Sequence, residues 1–494
     1  MNFSHTFGKG LRPLPRTLIA GSFALTLGAC SLDDILEVRD PEQVTPTQVE
    51  NAESVPFLVN GAIRTFYGAY SGLGDDSFLT STGTLTDEMY NGDTFTTRIA
   101  ADQRSLQAPV TGNVSDPGYS RLQQTRVAAR RAAAAAAQYT PEDVATFARM
   151  RAIEGYAYVT LGEGWCGAVP FGSVPETGPL DPTTVIPGAP IGTTAIFDSA
   201  IVRFREGVTA SGGDNLARIG LARALMNRSN TNLAAAAAAV ASVPTTFVYR
   251  IEHSSNEGTQ YNPVYALQSN GRYGVSNDEG GLNPTGTAAR PDELSTEASY
   301  TIDDGEGIPF RALNDPRVPY SRTAAGAFTA SFRQFNDLHY PSYAADVPVA
   351  SGVEARLIEA EALLASGDIT GYMGKLNDLR AAVATLLPVL YPEQSGTAAT
   401  LFPRTLAPLT DPGTAAGRVE MLFRERALWM YNTGHRQGDL RRMVRNYGYT
   451  SQQVFPSGPF YRGGSYGNDV AFPVPFAEQN NALYTPASCV TTQA

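Results

Sequence analysis

VEARLIEAEALLASGDITGYMGKLNDLRAAVATL, residues 353–386, is the stretch that decides the fold. Val353, Leu357, Ala360 and Leu364 recur at spacings of 4, 3 and 4, which places them on one face of a helix. Gly367 is placed to end that helix and Asp368 to cap the next. Tyr372, Leu376, Leu379, Val383 and Leu386 then continue at spacings of 4, 3, 4 and 3. Two amphipathic helices with a two-residue break form an antiparallel helical hairpin.

The pattern repeats upstream. Residues 193–241 read as three helices with short breaks: Ile219, Ala222 and Met226 share a face, Asn227 to Asn232 form a polar turn, and an alanine-rich partner helix follows. Two such hairpins predict tetratricopeptide-like packing, in which each pair needs a neighbour to bury its face. The tetratricopeptide consensus itself is absent, so the prediction concerns geometry. A first helix is expected at about 47–70 and another after Thr140-Pro141, with Met150, Ile153, Ala157 and Leu161 on one face. A last helix is expected at about 416–433, followed by a loop-like tail from 446. Residues 71–115 and 244–350, rich in Gly, Ser, Thr, Asn and Tyr, read as long irregular loops.

The N-terminus points to export. Lys9, Arg12 and Arg16 precede an uncharged, mostly apolar run from Thr17 to Ala29, the layout of a cleaved signal peptide. Leu27-Gly28-Ala29-Cys30 resembles a lipobox, in which the cysteine becomes an acylated N-terminus. Residues 31–46 read as a polar tether, and 47–494 as one domain. Residues 1–29 carry three cations and no anion, so their removal takes the formal net charge from −11 to −14. So acidic a chain argues against nucleic acid as a partner. Cys166 and Cys489 leave two readings, a disulfide or two separate buried thiols.

No catalytic sequence pattern is present, and neither catalytic residues nor a cofactor are expected. Asp303-Asp304-Gly305-Glu306-Gly307 could offer oxygen ligands to calcium. It lacks EF-hand spacing and reads as a solvated acidic loop, so no metal site is expected. The loops offer aromatic surface instead: Tyr67, Tyr70, Phe78, Tyr90 and Phe95 around the first, and Tyr261, Tyr265, Tyr273, Phe332, Phe335, His339, Tyr340 and Tyr343 in the second. Aromatic faces stack on sugars or peptide side chains while neighbouring amides and charges bond polar edges.

Several segments, in order, resemble the SusD/RagB family of nutrient-uptake lipoproteins. They are Cys30 with Leu32-Asp33-Asp34-Ile35-Leu36, Thr86-Asp87-Glu88, Ala148 to Phe171, Asn314-Asp315-Pro316-Arg317, and Leu357 to Asp368. Gly434-His435-Arg436 with Asp439-Leu440-Arg441-Arg442 follows, then Phe472-Pro473-Val474-Pro475 with Asn480-Asn481. Trp429 and Thr433 stand where the family usually has glutamates, and Asn432 where it has an aromatic.

The resemblance implies a mostly α fold: a tetratricopeptide-like helix-pair scaffold whose long loops form the ligand face. It implies an outer-membrane lipoprotein, anchored through Cys30 and facing the cell exterior. Such a protein caps a TonB-dependent β-barrel transporter, captures oligosaccharide or peptide, and does no chemistry. Asp87, Tyr90 and Asn91, beside Tyr273, are the expected ligand residues; Arg436, Asp439 and Arg441 are expected to form a structural charge network. Two other classes compete: a helical-repeat scaffold of an envelope assembly and a lipid-anchored hydrolase.

Overall fold

A computed structural model describes residues 51–72, 76–106, 113–178, 182–277, 307–394 and 396–494. Cys30, the tether at 31–46 and residues 303–306 of the acidic loop lie outside the described residues. Pro46–Ala494 forms one compact unit.

The hairpin at 353–386 forms, but its second helix ends at Ala381 and does not run on to Leu386 as the spacing predicts. Ser351 accepts a hydrogen bond from the Glu354 N–H (3.1 Å) and so caps α10, Gly352–Ser366; Gly367 ends that helix in the left-handed region. Asp368 accepts from the Gly371 N–H (2.8 Å) and opens α11, Ile369–Ala381. Val383 and Leu386 belong to a separate short helix, α12, Val383–Leu390, and α13, Gly396–Leu401, follows it.

Upstream run α1 (Val55–Ser71), α4 (Asp116–Tyr139), α5 (Val144–Gly164), α6 (Thr193–Ser211), α7 (Asn215–Arg228) and α8 (Leu233–Val240). Each packs on the next in chain order from α4 to α8; α8 then packs on α10, and α10 on α11. The result is the mostly helical, paired scaffold that periodicity predicts. Thr140 does not open α5, however. Its N–H closes α4 on the Ala136 carbonyl (3.0 Å), and Asp143 caps α5 by accepting from Thr146 N–H (3.0 Å).

The segments expected to be loops are more ordered. Residues 71–115 contain α2 (Phe78–Leu85), β1 (Met89–Asn91) and α3 (Thr96–Asp102). Residues 244–350 contain β4 (Val248–Ile251), α9 (Pro263–Ser269), β5 (Tyr273–Val275), β6 (Tyr320–Gly326), β7 (Arg333–Asp337) and β8 (Val347–Ser351). These strands pair antiparallel as β1 with β5, β4 with β8, and β6 with β7, and between α5 and α6 the two-residue β2 (Val169–Pro170) pairs with β3 (Pro190–Ile191). Between α14 (Ala415–Trp429) and the tail expected from 446 lies a further helix, α15, Arg436–Tyr447.

α5 lies at the centre, against α1, α4, α6 and α7. An aromatic ladder ties the core together: Tyr70 to Phe78 (5.3 Å between centroids), Phe78 to Trp165 (6.2 Å) and Trp165 to Phe472 (6.1 Å). Next to it, a disulfide joins Cys166 to Cys489, with 5.3 Å between the Cα atoms, and settles the two readings. No helix among the described residues is long and apolar enough to cross a membrane.

A candidate ligand face

The four expected ligand residues do come together. β1 pairs with β5 so that Tyr90 opposes Gly274 and Asn91 opposes Tyr273. All four side chains are buried, which corrects their assignment to a ligand surface. Asp87 accepts a bidentate ion pair from Arg436 (2.7 Å each) and a bond from Ile308 N–H (2.8 Å). The Tyr90 hydroxyl donates to the Arg333 carbonyl and accepts from Phe335 N–H (3.3 Å). Asn91 Oδ1 accepts from Asp93 N–H (2.8 Å). The Tyr273 ring packs 5.7 Å from the Arg98 guanidinium. These residues bind the two loop regions to each other.

Arg436, Asp439 and Arg441 do not form one network. Arg436 holds Asp87; Asp439 pairs with Arg426 (2.8 and 2.9 Å) and Arg442 (3.0 Å). Arg441 donates to the carbonyls of Gly162, Glu163 and Trp165 at the end of α5. The motif therefore anchors three different elements to α15. Burial raises the Asp439 pKa, but the two guanidiniums outweigh it and hold the carboxyl well below its usual range.

The same strand pair exposes other side chains. Phe95, just before α3, is 50% exposed, and so is Phe328 in the turn between β6 and β7. The Arg272 guanidinium lies between them, 4.9 Å from the Phe95 ring and 4.5 Å from the Phe328 ring. Asp93, buried beneath, holds Arg272 through Oδ2 (2.7 Å) and also bonds Arg98 (2.5 Å). Burial pushes the Asp93 carboxyl up, but the bonds from Arg272, Thr94 N–H and Arg98 win and lower its pKa.

Backbone bonds lock the three segments. Gly92 N–H donates to the Arg272 carbonyl (2.6 Å), Phe328 N–H to Gly271 (2.8 Å) and Thr329 N–H to Gly92 (3.1 Å). Two glycines permit this approach. A Cβ on Gly92 would lie 2.7 Å from that of Ala327, and Gly271 has φ +67. The product is a fixed plate of two open rings with a cation between them, suited to apolar faces and hydroxyl edges of a sugar.

A second aromatic group sits at the other end of α9. Tyr261 and Tyr343 stack at 4.1 Å, and Tyr265 meets Tyr343 edge-on at 4.8 Å. All three are half-buried, and their hydroxyls bond no described residue. Asn262 fixes the group: its N–H donates to the Tyr343 carbonyl (2.8 Å), and its side chain caps α9 at Tyr265 N–H (3.0 Å). α9 spans about 10 Å at 1.5 Å per residue, so both platforms flank one short helix. Of the aromatics singled out in the sequence, Phe95 and these three tyrosines reach this surface; Tyr67 is half-buried against the core, its hydroxyl donating to the Arg250 carbonyl (3.3 Å); Tyr70, Phe78, Tyr90, Tyr273, Phe332, Phe335, His339 and Tyr340 are core. Phe328 and Arg272 belong to no motif in the sequence. The one available signal was a lone aromatic among small residues, Gly326-Ala327-Phe328-Thr329-Ala330, too small to cover it.

No protein-family model and no curated protein matches the chain. Solved structures do. A SusD superfamily protein from Parabacteroides distasonis superposes with TM-score 0.57 at 13% identity, covering 90% of this chain and 99% of its own. A SusD homolog from Bacteroides thetaiotaomicron gives 0.56 at 13%, covering 88% and 96%. A SusD-like carbohydrate-binding protein from Bacteroides fragilis gives 0.55 at 13%, covering 87% and 98%. The chain has the SusD-like fold.

Proposed function

We propose that this protein is a surface nutrient receptor that binds oligosaccharide on the plate formed by Phe95, Arg272 and Phe328 and releases it chemically unchanged. The observation that carries the reading is that plate: two half-exposed rings held rigidly about a cation, on the loops of a fold whose solved examples include carbohydrate-binding proteins. Among the described residues no cluster of three His, Cys, Asp or Glu could hold a metal. The helical-scaffold alternative offers no reason to expose and brace two phenylalanines. A glycan-array screen tests the reading. Wild-type protein should retain a defined set of oligosaccharides, and Phe328→Ala should lose them. Retention of peptides alone would move the reading to peptide capture, and turnover of a retained glycan would move it to a hydrolase.

The mature protein begins at Cys30, is lipid-anchored in the outer membrane facing outward, and passes its ligand to a TonB-dependent β-barrel. The lipobox-like Leu27 to Cys30 supports the anchor, and the Cys166–Cys489 disulfide supports an oxidising compartment. Protease added to intact cells should digest the wild-type protein, whereas Cys30→Ala should be released from the membrane fraction. Full protection of the wild type would refute surface exposure, and a Cys30→Ala protein that stays in the membrane fraction would refute the lipid anchor.

A further inference from the structure

A concavity of about 480 Å³ opens between the Asn314–Arg317 turn, α11, α14 and the segment at 405–412. It shares no residue with either aromatic platform. Its volume falls in the range of small-molecule pockets. The charges at its floor are matched. Buried Arg317 pairs with Glu425 (2.5 and 3.1 Å) and Asp315 (2.8 and 2.9 Å), and Arg380 pairs with Glu425 (2.7 Å). Leu406, Leu409, Met421 and Leu428 supply apolar wall.

Arg424 is the exception. It lines the pocket half-buried, yet its guanidinium makes no ion pair or hydrogen bond with any described residue. Glu425 beside it is already committed to two arginines. Glu420, one turn earlier, lines the same pocket. Burial lowers the Arg424 pKa; Glu425 and Asp315 pull it back up, and Arg317 and Arg380 push it further down.

A guanidinium in a partly desolvated cavity whose N–H groups meet no acceptor is completed by an anion. The lining carboxylates of Asp315, Glu420 and Glu425 disfavour a dianion such as phosphate, so a single negative charge fits best. Apolar wall beside the guanidinium favours a compact organic body over a bare ion. We propose that this pocket binds a small molecule bearing one carboxylate, which Arg424 holds through a bidentate ion pair. A uronic-acid sugar and an amino-acid carboxylate share that chemistry.

NMR titration of the folded protein with D-galacturonate, D-galactose and N-acetyl-L-alanine tests the assignment. At least one of the two acids should bind while galactose does not bind here, and which acid binds identifies the source. Arg424→Gln should weaken the acid roughly tenfold or more. Arg424→Lys should keep part of the affinity, and Phe328→Ala all of it. Arg424 supports no other described residue, so both its variants should unfold at the wild-type temperature. Failure of both acids to bind, affinity within about twofold in Arg424→Gln, or loss in Phe328→Ala would overturn the proposal.

Discussion

Glu88 is a buried carboxyl beside the Asp87–Arg436 pair, with a backbone bond from Asn432 N–H (2.9 Å). Burial raises its pKa to about 8, and Asp87 and Asp337 add to the rise against Asn432 and Arg436. The native state thus keeps a proton that the unfolded chain gives up near pH 4.5. Stability from this group is fully present below about pH 4.5 and is lost as pH rises towards 8, a few kcal/mol in all. Glu88→Gln should match the wild type near pH 4 and exceed it at pH 8 in urea unfolding. Equal stabilities at pH 8 would contradict this reading. Thr86-Asp87-Glu88 was visible as a motif, but its role was not. Whether an acid contacts ligand or a buried arginine depends on a partner 349 positions away, Arg436, which no local pattern reveals.

The helices with a strong apolar period formed where spacing placed them, because one apolar face buried against a neighbour dominates their energetics. α2, Phe78–Leu85, reads FLTSTGTL and lacks good helix formers. It forms because it is buried on every side, and Thr82 and Thr84 satisfy their hydroxyls on carbonyls one turn back (2.8 and 2.6 Å). Composition therefore misread it as loop, and likewise the three-residue strands, whose pairing is long-range. The end of α5 is secured to the C-terminal segment by the Cys166–Cys489 disulfide, across 323 residues of sequence. Closing so long a loop limits the unfolded chain most, so Cys489→Ser should cost about 2–5 kcal/mol. Thermal unfolding should fall for the variant and for reduced wild type alike. An unchanged transition in both would show the bond to be energetically idle.

Over the molecule as a whole, the helix pairs form a scaffold, and buried ion pairs such as Arg223–Glu163 (2.6 Å) and Arg442–Glu361 (2.6 Å) join distant parts of it. Onto it the loop regions fold as short paired elements that present the Phe95–Arg272–Phe328 plate. The scaffold was legible because helical period is local. The candidate ligand face was legible only as a composition, since exposure of Phe95 and burial of Tyr90, five positions apart, follow from three-dimensional packing. The central claim is that sugar binds on this plate. Calorimetric titration of wild type and a Phe95→Ala/Phe328→Ala variant with an array-selected oligosaccharide tests it most directly. Each lost ring should cost about tenfold or more in affinity, with unchanged unfolding temperature because both rings are half-exposed. Undiminished affinity in the double variant would contradict the account.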